Sequence, residues 1–431
     1  MNRPEPRRLQ RELRLGGATM MGLGSMVGTG VFVGIGIAAA VAGPSVILAI
    51  FLAAGVATCN ALSSAQLAAS HAVSGGTYEY GYRYLNPSLG FTAGWMFLCA
   101  KSASAATAAL GFAGYLLRLV GGNLELTTWV ALAAIALFTL LVLTGIKRSS
   151  WANIAIVSVT LLALGSFVVL GIPTAVVEAD ENLSPFFTSS NGSLLEAFFY
   201  ATALMFVAFT GYGRIATLGE EVMEPRRNIP RAIIITLILT AFLYVSVAAV
   251  AISSIGANTF ANAPGAQTTP LEHAARAMDA QLLARLIAVG AITAMLGVLL
   301  NLILGLSRVF LAMGRQGDMP PAFGRLSAAG AAPAVAVIAT GAVIAVIASF
   351  GSITTAWAFS AFTVLVYYAI TNLAALRLPA RERLYPRWIT VTGLGACLFL
   401  AFWVPVPIWL AGLGVIAIGL FWRRVLSPVW S

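Results

Sequence analysis

The chain has 431 residues, 59% of them hydrophobic and 9% charged, and a net charge of +10. Its apolar residues fall in blocks of about the 20 residues that a helix needs to cross a bilayer, which excludes a soluble enzyme. The blocks are continuous rather than alternating, which excludes an outer-membrane barrel.

Taken in chain order, a basic tail over 1–14 precedes candidate spans at roughly 17–41, 43–68, 88–118, 126–146, 151–172, 193–214, 230–253, 283–312, 333–350, 355–376, 388–404 and 407–422. Threading these twelve with the amino terminus inside leaves only Arg118, Arg276, Arg285 and Lys101 off the cytoplasmic side, out of 25 Lys and Arg. That asymmetry is the positive-inside rule rather than a nucleic-acid footprint, and it predicts a multi-pass protein of the cytoplasmic (inner) membrane with both termini inside. Cys59, Cys99 and Cys397 sit in apolar runs without ligand spacing, so no metal, disulfide or cofactor is expected. The segment 70–87 carries Tyr78, Glu79, Tyr80, Tyr82, Arg83 and Tyr84 and reads as a cytoplasmic loop with interfacial aromatics. The external stretch after Ser253 includes an expected short amphipathic helix from Pro270 to Ala280.

Two spans are interrupted by glycine. Gly24-Ser25-Met26-Val27-Gly28-Thr29-Gly30 breaks the first and Phe209-Thr210-Gly211-Tyr212-Gly213 the sixth. Backbone that leaves the helical ladder in hydrocarbon must be satisfied by protein, water or ligand, and paired breaks in corresponding halves mark a solute site. At the first break Gly28, Thr29 and Gly30 would free N–H groups at the start of a half-helix from Val31, a natural seat for a carboxylate. The carbonyls of Met26 and Val27, with those of Phe206 to Phe209 across the second break at Thr210 and Gly211, would suit an ammonium. Phe206, Phe209 and Tyr212 are candidates to cover the solute. The competing reading is packing, since small residues spaced by three also line helix contacts. Together the walls describe an amino acid site.

Three stretches resemble the amino acid-polyamine-organocation (APC) superfamily of permeases: Gly24 to Phe32, Gly219 to Ala232 (GEEVMEPRRNIPRA) and Ser307 to Pro320 (SRVFLAMGRQGDMP). The resemblance implies an all-α membrane protein of 12 transmembrane helices with a LeuT-type 5+5 inverted repeat and discontinuous helices 1 and 6. The expected core is 15–380, with repeats at about 15–172 and 193–380. Residues 381–431 would form peripheral helices 11 and 12 and a cytoplasmic end. The resemblance also implies that the carboxylate is held at Gly28, Thr29 and Gly30, the amino group by carbonyls at Met26 and Phe206–Phe209, and the inner gate by Glu220 and Glu221.

Lys101 is the ionisable residue well inside a span. An isolated ammonium at such depth costs at least about 3 kcal/mol and usually faces a cavity or a partner. Some proton-coupled members of the superfamily carry a lysine on the fifth span, where this chain has Thr160. Lys101 is therefore expected to act instead, as a fixed internal cation or as the titrating group. The expected function is secondary transport of an amino acid, small and neutral by preference, or a related amine. A proton is favoured over sodium as coupling ion, and exchange, uniport or a channel are the alternatives.

Overall fold

In a computed structural model the chain is all-helical, and the structure describes residues 14–71, 75–144, 150–189, 192–216, 222–262, 269–326, 333–350 and 352–425. The helices are α1 Leu15–Met26, α2 Ile35–Ala42, α3 Val46–Ser70, α4 Thr77–Tyr84, α5 Pro87–Val120, α6 Thr127–Leu143, α7 Ser150–Asn182, α8 Leu194–Phe209, α9 Gly213–Ala216, α10 Pro225–Ile255, α11 Ala257–Asn262, α12 Pro270–Ala277, α13 Gln281–Arg315, α14 Ala334–Phe350, α15 Ile353–Leu376, α16 Arg387–Phe402 and α17 Val406–Val425. No β-strand occurs among the described residues.

Within the described residues every expected apolar stretch is largely helical. Among the described residues nine stretches are long and apolar enough to cross a membrane. One of them, Leu15–Ser70, runs for 56 residues, and the shorter apolar helices Ala334–Phe350 and Arg387–Phe402 accompany the nine. Local chemistry sets the helix starts. Asn86 caps α5 by accepting the Leu89 N–H at 2.9 Å, with Pro87 at the first helical position. Ser193 and Ser352 likewise cap α8 and α15.

The middle of α5, from Ala100 to Gly114, is buried and rich in alanine and serine. It packs against α13 and α15, while α1 lies against α7 and α10, and α3 against α8 and α10. The small side chains let these backbones approach closely. The residues around the first loop depart from expectation: 77–84 form the helix α4 rather than an irregular connection. At the opposite end of α13, the expected short helix appears as α12, with Pro270 packed on Gly36 of α2. Buried Glu272 on α12 pairs with Arg276 at 2.7 Å.

The end of the bundle beyond α13 is fastened by Asp318, which is 2% exposed. Its carboxylate accepts from the Tyr78 hydroxyl at 2.8 Å, from the Tyr82 hydroxyl, and from Arg423 Nε at 3.2 Å. One side chain thus ties α4, the turn after α13 and the end of α17. The last helix is therefore held to the bundle by more than a lipid-facing contact.

Candidate functional site

Helix α1 ends where Val27 adopts extended backbone (φ −77°, ψ 95°), its N–H still reaching the Leu23 carbonyl at 2.7 Å. The chain re-enters helix through a single π-turn, Gly30–Gly34, one residue before the expected start at Val31. The Gly28 carbonyl accepts from both Val31 and Phe32 N–H at 3.1 Å. None of the described hydrogen bonds is donated by the N–H of Gly28, Thr29 or Gly30. The Thr29 hydroxyl is buried and without a partner among the described residues. Polar groups left open at a helix start in an apolar bundle await a ligand or water.

The second break is a 3₁₀ turn, Thr210–Tyr212. The Thr210 hydroxyl donates to the Val207 carbonyl at 2.7 Å and accepts from Lys101 Nζ at 2.7 Å. The two breaks touch. A Cβ on Gly211 would overlap the Ser25 carbonyl, and one on Gly30 would lie 2.5 Å from Ala208 Cβ. The Tyr244 hydroxyl donates to the Met26 carbonyl at 2.6 Å and lies 3.4 Å from that of Ala208. Two more side chains fix the second break from α15: Tyr368 donates to the Thr210 carbonyl at 3.3 Å, and Trp357 Nε1 to that of Leu204 at 3.1 Å.

A cavity of about 1030 Å³ opens beside the breaks. Of the residues singled out from sequence, Met26, Thr29, Gly30, Lys101, Thr210 and Gly211 line it. Val27, Gly28, Phe206, Phe209, Tyr212 and Thr160 do not. Gly28 abuts Val298. Phe206 and Tyr212 pack on Tyr368 at ring distances of 5.7 and 5.3 Å, and Phe209 on Tyr244 at 5.2 Å. These aromatics pack behind the break and do not line the cavity. Thr160 is buried, and its hydroxyl bonds the Ile156 carbonyl of its own helix at 2.8 Å, so it offers nothing to the cavity. Glu220 and Glu221 lie outside the described residues. The carbonyls assigned to an ammonium are largely taken already, Met26 by Tyr244 and Val207 by Thr210.

Sequence reasoning missed the cavity's own aromatics, Trp357, Tyr367 and Tyr368, and the contribution of α4 through Tyr78, Glu79 and Tyr80. Burial raises the Glu79 pKa above the ordinary carboxylate value, partly offset by a hydrogen bond from Gln316. From the breaks the cavity runs along α13 past Gly305 and Arg308 to Arg315. Those residues extend 17 positions beyond Val298, about 26 Å of helix.

Open backbone donors at an interrupted helix, facing a large cavity inside an apolar helical bundle, define a membrane protein built to bind a small polar solute. The comparisons with known proteins agree. The family model described as "Amino acid permease" matches residues 17–428, so the chain belongs to the amino acid permease family. An uncharacterized transporter of Mycobacterium tuberculosis is 39% identical over 414 residues, 96% of this chain and 91% of that protein. The branched-chain amino acid permease of Bacillus subtilis is 27% identical, covering 79% of this chain and 75% of its own length. The methylthioribose transporter of the same organism is 28% identical, covering 89% and 86%.

Proposed function

We propose that this protein is a secondary active transporter that moves an amino acid or related amine across the cytoplasmic membrane by alternating access. The observation that carries the reading is the contact of two mid-helix breaks on the wall of one cavity. A channel filter needs no such paired hinges, whereas rocking one repeat against the other does. A 5+5 inverted repeat is supported by two correspondences. The breaks fall in the first helices of the two proposed halves, and the eight-residue helices α4 and α12 follow the second helix of each half, at opposite ends of α13. Twelve crossings, with the termini and the α4 end cytoplasmic, fit the distribution of Lys and Arg.

In this reading the substrate carboxylate is received by the N–H groups of Gly28, Thr29 and Gly30 and by the Thr29 hydroxyl. Lys101 is the coupling group, either titrating with a proton or remaining a fixed cation, and Glu220 and Glu221 belong to the inner gate. The names of the relatives, for a branched-chain amino acid permease and a methylthioribose transporter, support a small organic solute. The small, neutral amino acid expected from sequence fits the lack of acidic residues near the breaks among the described residues. A neutral side chain leaves Lys101 unanswered.

The test is uptake into proteoliposomes. Saturable accumulation of a labelled amino acid, with counterflow when the lumen is preloaded, is the expected result. Flux that rises linearly with concentration and shows no counterflow would refute alternating access. In the same assay Lys101→Met separates the two coupling roles: uptake that keeps its full pH dependence removes the titrating one.

A further inference from the structure

Free donors outnumber free acceptors around the two breaks. On the donor side of the cavity stand the N–H groups of Thr29 and Gly30, the unpartnered Thr29 hydroxyl and the Lys101 ammonium. Lys101 is 8% exposed, and among the described residues its one acceptor is the Thr210 hydroxyl. That hydroxyl gives its own proton to Val207, so it takes a single N–H from an ammonium that has three.

On the acceptor side several carbonyls already have a donor. Met26 receives the single Tyr244 proton at 2.6 Å, with the Ala208 carbonyl 3.4 Å from the same hydroxyl, while Val207 receives Thr210, Thr210 receives Tyr368, and Leu204 receives Trp357. The Ser25 carbonyl lies so close to Gly211 that a Cβ there would overlap it. Among the described residues of the wall the one carboxylate is Glu79, which is held by Gln316 at the other end of the cavity. A buried cation without a counter-charge is costly unless an anion reaches it.

We infer that the substrate supplies that anion: the transported amino acid has an acidic side chain, with its main-chain carboxylate on the first break and its side-chain carboxylate on Lys101. This rests on the transport reading above and replaces the small neutral amino acid considered there with a dicarboxylic one. Lys101 is then the specificity-determining residue. Its ammonium rests on Thr210 at 2.7 Å, which fixes it beside the second break.

The experiment is equilibrium binding to purified protein, read by thermal stabilisation and calorimetry. Aspartate and glutamate are compared with asparagine, glutamine, alanine and leucine, each in chloride and in gluconate buffer. In the unaltered protein the acid should bind at least about tenfold tighter than its own amide, with no need for chloride. In Lys101→Met that ratio should fall to about one. The proposal is overturned if the amide binds the unaltered protein as tightly as the acid, a comparison that needs no variant. It is equally overturned if acid preference survives in Lys101→Met, or if chloride alone produces the stabilisation and acids add nothing. If neutral amino acids bind and acids do not, the substrate class fails while the transport reading stands. If no amino acid binds at all, both fail together.

Discussion

Replacing Gly211 with alanine tests the geometry on which the site depends. Gly211 is not in a left-handed conformation, so the penalty is steric alone. Its new Cβ would lie 2.5 Å from the Ser25 carbonyl carbon and 2.7 Å from Met26 Cγ, and would overlap the Ser25 oxygen. Ordinary contact begins near 3.4 Å, so the breaks must part by about 1 Å. The obstacle is backbone, which cannot swing aside as a side chain does. Overpacking of a tight core costs about 1–3 kcal/mol, and the upper half of that range is expected here. Gly305→Ala is the matched control: it lines the same cavity, but its Cβ meets nothing within 4 Å. Both variants are followed by thermal melting in detergent and by uptake in proteoliposomes. Gly211→Ala should lose most uptake and melt several degrees lower, whereas Gly305→Ala should melt like the parent or slightly higher, alanine being the better helix former. Unimpaired uptake by Gly211→Ala would show that the breaks do not meet as described.

Three further outcomes follow from individual contacts. Arg423→Ala leaves buried Asp318 without its guanidinium and should cost up to about 3 kcal/mol, moderated because the Arg423 side chain is 22% exposed. Adding Asp318→Asn should recover part of that loss, so a thermal double-mutant cycle with strictly additive losses would disprove the clamp. Tyr244→Phe deprives the Met26 carbonyl of its 2.6 Å donor and should destabilise by about 1–2 kcal/mol, with slower uptake; melting and transport rates unchanged from the parent would count against a stitch between the breaks. Glu79 lies outside the apolar helices, and burial raises its pKa, so its ionisation opposes folding. The sign follows from linkage: the group's contribution is most favourable below the unfolded carboxylate pKa of about 4.3 and is lost as pH rises through the higher folded value. Glu79→Gln should therefore raise the melting temperature near neutral pH and change little near pH 4, and the reverse pattern would contradict the assignment.

The helices were legible because long apolar runs leave few alternatives, and the breaks because glycine clusters recur inside two such runs, a pairing that favours open backbone over helix packing alone. The helix α4 was not legible, since eight residues of mixed tyrosine and charge are too short to show a period. Lys101 and Thr210 each stood out alone, but they are 109 residues apart in sequence, and only the packing of α5 on the break brings them to 2.7 Å. Tyr244, Trp357 and Tyr368 escaped notice for a similar reason: one hydroxyl or indole in an apolar run looks like packing until the carbonyl it meets is known. Thr160 was located by counting along a resemblance, and its hydroxyl closes locally on its own helix.

Phe206, Phe209 and Tyr212 were assigned to the solute because aromatics beside a break are conspicuous. The same requirement that made the breaks visible turns these rings away. The breaks can touch only through the small face of the sixth apolar stretch, formed by Ala208, Thr210 and Gly211. The bulky side chains must then occupy the opposite face, against Tyr244 and Tyr368. A sequence argument that weighs side-chain size at the point of contact would have reached this placement. The small residues of this break face the cavity, and the aromatics on the cavity wall come from another helix, Trp357, Tyr367 and Tyr368 of α15.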